Sequence, residues 1–395
     1  MNGGQTAWGI DVGHCALKAL QLRGADGGIA VAGCHVIEHA RTLSQAQTDR
    51  PALLRETLGR LVGAADLSGG RVVVSVSSRD GVSRFVPLPP VEQRAVAGLV
   101  RFEARQQIPF PIDQAIWRWQ LFEDPDRPEG GHAAVAIFAL RRRDVQEMLD
   151  LFSQADVRVD AIQMRPVALF NLLIADGQAV EDGATLLADL GAESIEFVVA
   201  EKGRIWTHTV EFGASRLTDA LARALDVPFD EAERIKRSAA GEDAERVGPG
   251  AEIAVSELAL ELRRCVDNYE AIAGVSPIRR VLAVGGGFRL PHLREAVEGC
   301  LEVPVARLEE YKRIRVPATA EASALRDGPE AFAVACGLAL QGLGHVAVDI
   351  DFLPSGTKGK RREDEGSAIR SVRRMAGRLL GRFRRRRPQE SPTRL

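Results

Sequence analysis

The sequence predicts an α/β protein of two related lobes, with a small α/β subdomain inserted in the first. Three observations predict it. Apolar runs of strand length alternate with amphipathic helical patterns along the chain. An apolar strand that ends in Asp-x-Gly and turns back into a second alternating strand occurs twice, in WGIDVGHCALKALQL and in LLADLGAESIEFVV. After the second copy, VLAVGGGFRLPHLREAV runs from a strand into three glycines and then, past Pro291, into a helix.

The bulk properties agree with that class. A chain of 395 residues predicts two or three units of about 150 residues each. With 45% hydrophobic and 27% charged residues, neither global disorder nor a many-span membrane protein fits. No apolar run reaches membrane length and no signal-peptide pattern opens the chain, so the expected location is cytoplasmic. Cys15, Cys34, Cys265, Cys300 and Cys336 form no CxxC pair, which points to reduced thiols rather than a disulfide framework or a zinc site. Charge is divided unevenly: residues 356–395 hold 2 Lys and 12 Arg against 4 acidic residues, a balance of +10, leaving −12 on the preceding 355. The chain therefore reads as an acidic body with a basic tail.

In chain order, the first hairpin turns at Asp11-Val12-Gly13, glycine allowing backbone that a side chain would obstruct. Residues 85–160 read differently from what flanks them. They hold PLPP, a helix over 92–107, the break IPFPI, strands over 116–122 and 133–140 around the polar loop 124–132, and a helix from Arg142. The second hairpin turns at Asp189-Leu190-Gly191. Leu217, Leu221 and Leu225 mark a helix, 229–237 another, and a longer one over 256–273 carries Leu258, Leu262, Cys265 or Val266, Tyr269 and Ile272 on one stripe. A closing helix spans 331–343. The expected units are a first-lobe core (1–84), the insertion (85–160), a connecting helix (161–183) and the second lobe (184–345, with a helical subdomain at 226–274). A terminal segment follows at 346–395.

Singly, each motif also reads as an ordinary β-turn or glycine loop. Their order is more specific and resembles the actin-like ATPase fold. Within it, GIDVGHCALKALQL, FEARQQIPFPID, VDAIQMRPVALFNLL, DLGAESIEFVV, AERIKR, GGGFRLPHL and AVACGLAL are similar to the PilM family of type IV pilus assembly proteins. The resemblance implies ATP between the lobes. Asp11 and Asp189 would organise Mg²⁺ through water, while Gly13, His14, Cys15, Lys18, Gly191 and Ala192 would line the phosphates. Glu233, Lys236, Gly285, Gly286 and Gly287 would meet the adenosine, with Lys236 reading equally well as a solvated helix lysine. The family usually has small hydroxyl residues after the first Asp-x-Gly; His14-Cys15-Ala16 here removes those hydroxyls, so weakened binding and at most slow ATP turnover are expected.

The implied partner is a PilN-like inner-membrane protein, whose cytoplasmic peptide would lie beside the insertion. Self-association is a further expectation. Asp351-Phe352-Leu353-Pro354 looks like that peptide's own Asn-Leu-Leu-Pro element and reads alternatively as a final strand with a proline stop. Over 368–383, Ile369, Val372, Leu379, Leu380 and Phe383 fall with other apolar residues within one arc of about 140°. Arginines fill the rest, the pattern of a helix on an anionic membrane surface. Nucleic acid is the weaker reading, since phosphate attraction requires no apolar stripe. Two other functions compete, a membrane-tethered filament protein resembling FtsA and a small-molecule kinase of the same fold.

Overall fold

The computed structural model describes residues 5–25, 28–45, 48–76, 81–89, 93–123, 132–202, 204–238, 244–272, 275–290 and 293–354. The helix expected over 368–383 lies outside these, as does the polar loop 124–132 apart from His132.

The first lobe opens with β1 (Thr6–Val12), β2 (Ala16–Ala25) and β3 (Gly28–Glu38), followed by α1 (Arg50–Ala64) and β4 (Arg71–Val76). The insertion contributes β5 (Val82–Pro87), α2 (Gln93–Gln107), β6 (Ala115–Glu123) and β7 (His132–Arg141). Next come α3 (Arg142–Gln154), β8 (Ala161–Met164) and α4 (Arg165–Ala175). The second lobe holds β9 (Ala184–Leu190), β10 (Ile195–Glu201), β11 (Arg204–Val210), α5 (Ala214–Leu225), α6 (Phe229–Ser238) and α7 (Ala244–Glu270). It continues through β12 (Ile278–Val284), α8 (Leu293–Leu301) and β13 (Val305–Arg307). The chain ends its described part with β14 (Ile314–Arg315), α9 (Ser323–Asp327) and α10 (Ala333–Gly342).

Duplication is visible in the sheets. The first runs β14-β3-β2-β1-β4-β8 and the second β11-β10-β9-β12-β13. In each, the strand ending in Asp-x-Gly is central, pairing antiparallel with the next strand and parallel with a later one. A separate three-stranded sheet, β5-β7-β6, forms the insertion, with α2 packed on it through Val96, Val100 and Ala104. This is the two-lobed actin-like architecture with its inserted subdomain.

Three elements depart from the expected spans. Helix α3 packs Leu151 and Phe152 with Trp8 and Ile10 on the first-lobe sheet rather than within the insertion. The second lobe is expected to run to residue 345, but the chain returns earlier. β14 pairs with β3, and α10 lies against β1 and α4, where a Cβ on Gly337 would come 1.9 Å from the Ala168 carbonyl oxygen. Helix α7 begins at Ala244, well before the expected 256, and ahead of that point it already buries Ala254 while Ile253 stays exposed.

The lobes share a core. Leu187, Val198, Leu282 and Val284 of the second sheet cluster with α4 and α10, while its other face packs against α5, α7 and α8. Residues 346–354 extend the shared core: Val348 and Phe352 are fully buried, and Ile350 nearly so.

Candidate interlobe site

Both Asp-x-Gly turns close in the same way. The Gly13 amide donates to the Ala16 carbonyl at 3.1 Å, and the Gly191 amide to the Ser194 carbonyl at 3.0 Å. The strand registers put Asp11 and Asp189 at the ends of β1 and β9, one from each lobe, and both are buried. Between them lies Arg165, the first residue of α4, which falls within the segment VDAIQMRPVALFNLL but carries no role expected from the sequence. Its Nη1 donates to Asp11 Oδ1, and its Nη2 to Asp189 Oδ2 at 2.8 Å. Ser75 Oγ donates to the same Asp11 oxygen at 3.0 Å. Burial works against the charge on Arg165, but Asp11, Asp189 and Glu196 together outweigh it and raise its pKa, so the guanidinium is fixed in its charged form.

Around the first turn, the His14 carbonyl accepts from the Leu43 amide and the Cys15 carbonyl from the His39 amide, both at 2.9 Å. His39, unmarked in the sequence, buttresses the turn: Nε2 meets the Gly13 carbonyl at 3.0 Å and Nδ1 meets Thr57 Oγ1 at 2.9 Å. A carbonyl only accepts, which puts the ring proton on Nε2. Burial, then the nearby Glu233, push the Cys15 thiol up, so it stays protonated. Lys18 stands opposite Asp11 in the β1–β2 pair. Around the second turn, the Gly191 and Ala192 carbonyls take the first amides of α5, from Ala214 at 2.9 Å and Ser215 at 2.8 Å.

The residues expected at the adenosine divide into two groups. Lys236 is neither solvated nor free: its Nζ reaches Glu233 at 2.6 Å, Thr218 Oγ1 at 2.7 Å and the Ala214 carbonyl at 3.2 Å. Glu233 also accepts from Thr218 at 2.6 Å and Arg237 at 2.9 Å. The glycine loop lies against the end of β9. Gly285 has φ of 85°, and a Cβ there would fall 2.4 Å from Asp189 Oδ1, so neither its backbone nor its neighbour tolerates a side chain. Gly286 faces open space.

Further links join the lobes across the cleft. Ser44 Oγ donates to Glu193, Gln45 Nε2 to Asp230 at 3.1 Å, and Arg237 Nη1 to Glu38 at 3.1 Å. The metal-organising role expected of Asp11 and Asp189 does not fit this arrangement, because an arginine of the chain already engages both carboxylates. Among the described residues, no group of three or more His, Cys, Asp or Glu side chains could hold a metal ion.

The terminal element Asp351-Phe352-Leu353-Pro354 is seated in its own molecule, against β8 and the insertion. Asp351 Oδ1 accepts from the Ile162 amide at 3.0 Å, and the Phe352 amide donates to the Ile162 carbonyl at 3.0 Å. Arg118 Nε of β6 donates to the Asp351 carbonyl at 2.8 Å.

A family model described as type IV pilus assembly protein PilM matches residues 9–343. Among solved structures, the chain is similar to one described as a PilM-PilN type IV pilus biogenesis complex. The identity is 23% and the TM-score 0.71, over 85% of this chain and 98% of that one. It is more distantly similar to the ethanolamine utilization protein EutJ from Carboxydothermus hydrogenoformans, at 16% identity and TM-score 0.49 over 85% and 89% of the two chains. The cytoplasmic domain of EpsL, an inner-membrane component of the Vibrio cholerae type II secretion system, gives 12% identity and TM-score 0.44 over 90% and 100%. No curated protein matches the sequence.

Proposed function

The chain belongs to the type IV pilus assembly protein PilM family, and from that premise we propose that it is a cytoplasmic adaptor of a pilus inner-membrane assembly complex, working through protein contacts rather than turnover. The observation that carries this reading is the family match across residues 9–343, which spans both lobes and the insertion together. Its partner is the cytoplasmic peptide of a PilN-like inner-membrane protein, a reading supported by the likeness to a chain of a PilM-PilN complex. No described helix is long and apolar enough to cross a membrane; inner-membrane attachment through that partner and the basic tail is part of the proposal.

Adenine nucleotide is the proposed cleft ligand, on the strength of the glycine loop and the open space at Gly286. Hydrolysis forms no part of the proposal, because Arg165 engages both carboxylates that would organise a metal. The test is a fluorescence-anisotropy titration of the full chain against the N-terminal cytoplasmic peptide of the PilN-like protein encoded in the same genome. Saturable binding, lost on scrambling the peptide, is expected. No binding to that peptide, with the protein shown to be folded, sinks the reading.

A further inference from the structure

We infer that Arg165 stands where a divalent cation would sit between Asp11 and Asp189, so that the protein closes its interlobe cleft with its own guanidinium and takes up no divalent cation there. The inference does not depend on the identity of the pilus partner or on nucleotide binding.

Charge and burial come first. Asp11 and Asp189 are 1% and 4% exposed and approach one another from opposite lobes. Two buried carboxylates that share a site repel, and a cation between them relieves that repulsion. Arg165 supplies it with a geometry suited to two acceptors, one terminal nitrogen to each carboxylate. A guanidinium is planar, permanently charged and more weakly hydrated than an ammonium, which suits it to a dry bridge.

Coordination chemistry then argues against adding a metal. Magnesium demands a near-octahedral oxygen shell and normally keeps several waters. Asp11 Oδ1 already accepts from both Arg165 and Ser75. On the other side, the backbone at Gly285 comes so close that even a methyl group would fall 2.4 Å from Asp189 Oδ1. Asp11 Oδ1 and Asp189 Oδ1 therefore lack the open flank that a hydrated ion needs.

Position supplies the third argument. Arg165 is the first residue of α4, where the helix dipole disfavours a cation. The pair of carboxylates more than offsets that, and Pro166 immediately after it suits the first helical turn and fixes the backbone on which the arginine is mounted. Ser44–Glu193, Gln45–Asp230 and Arg237–Glu38 add further links between the lobes.

The experiment is Mn²⁺ binding followed by electron paramagnetic resonance on the full chain, comparing wild type with Arg165→Ala, Arg165→Gln, Asp189→Asn and Arg165→Ala combined with Asp189→Asn. Wild type should leave Mn²⁺ free. Freed of the guanidinium, the carboxylate pair of Arg165→Ala should bind Mn²⁺ at least about tenfold more tightly than wild type, and the double variant should lose that gain. Wild-type binding that Asp189→Asn abolishes would overturn the inference, as would a folded Arg165→Ala or Arg165→Gln protein that gains nothing. Thermal unfolding of wild type decides the matter even if both arginine variants fail to fold. Its midpoint should be the same in EDTA and in millimolar Mg²⁺, each with and without ATP. A rise of more than about 3 °C with Mg²⁺, cancelled by Asp189→Asn, counts against the inference.

Discussion

Glu233 is a carboxylate whose neighbours do more than its surroundings take away. Burial disfavours its charge, yet Lys236, Thr218 and Arg237 hold its carboxyl below the ordinary range. A depressed carboxylate contributes stability above its unfolded value of 4.5 and loses it as pH falls through the folded value, because the unfolded chain takes up the proton first. Glu233→Gln should therefore flatten the acid limb of stability between pH 6 and pH 4. At neutral pH it should cost about 1.5–3 kcal/mol, the range for hydrogen bonds to charged groups. Urea unfolding at the two pH values measures both, and equal steepness in variant and wild type would show that the cluster carries no such linkage. The same contacts explain why Lys236 reads ambiguously in sequence. A helix lysine gives no sign of whether its ammonium meets water or, as here, a hydroxyl, a carbonyl and a carboxylate from two helices.

Residues 346–354 form no regular strand among the described residues, yet they pack as part of the core. Asn171 Oδ1 accepts from the amides of Ala347 and Val348 at 3.0 and 2.9 Å. Gln163 and Gln341 both donate to the Ile350 carbonyl, at 2.9 and 2.8 Å. Burying side chains such as Val348, Ile350 and Phe352 stabilises by about 1.5–3 kcal/mol each, so a short peptide that displaced this element would have to recover most of a domain's net stability. Competition between the element and a partner peptide is thus disfavoured by magnitude. Phe352→Ala should cost about 3–5 kcal/mol in urea unfolding, and truncation after Leu343 should abolish the cooperative transition. A truncated chain that unfolds at the wild-type midpoint would instead mark the element as detachable.

For the whole molecule, the uneven charge of body and tail sets an expectation about membranes. The tail's apolar stripe and arginines should bring the chain onto anionic liposomes in flotation, with Leu379→Glu plus Phe383→Glu releasing it. Equal flotation of variant and wild type, or equal binding to neutral vesicles, would exclude an inserted stripe. The body shows where reading a sequence succeeds and where it stops. The two Asp-x-Gly hairpins, the glycine loop and the insertion are legible because strand alternation, turn residues and helical periodicity are local, and local pattern selects local backbone. The recurrence of two such hairpins points to two related halves, and the family resemblance implies that their aspartates face a common cleft. What fills the cleft was decided only in three dimensions. Arg165 lies 154 residues from Asp11 and 24 from Asp189, and it opens an apolar helix within VDAIQMRPVALFNLL, where nothing local ties it to either aspartate. Likewise β14 and α10 return to the first lobe because they complete its sheet and shared core. Both are consequences of packing between distant segments, where burial and charge pairing are settled by which surfaces meet rather than by the residues on either side in the chain.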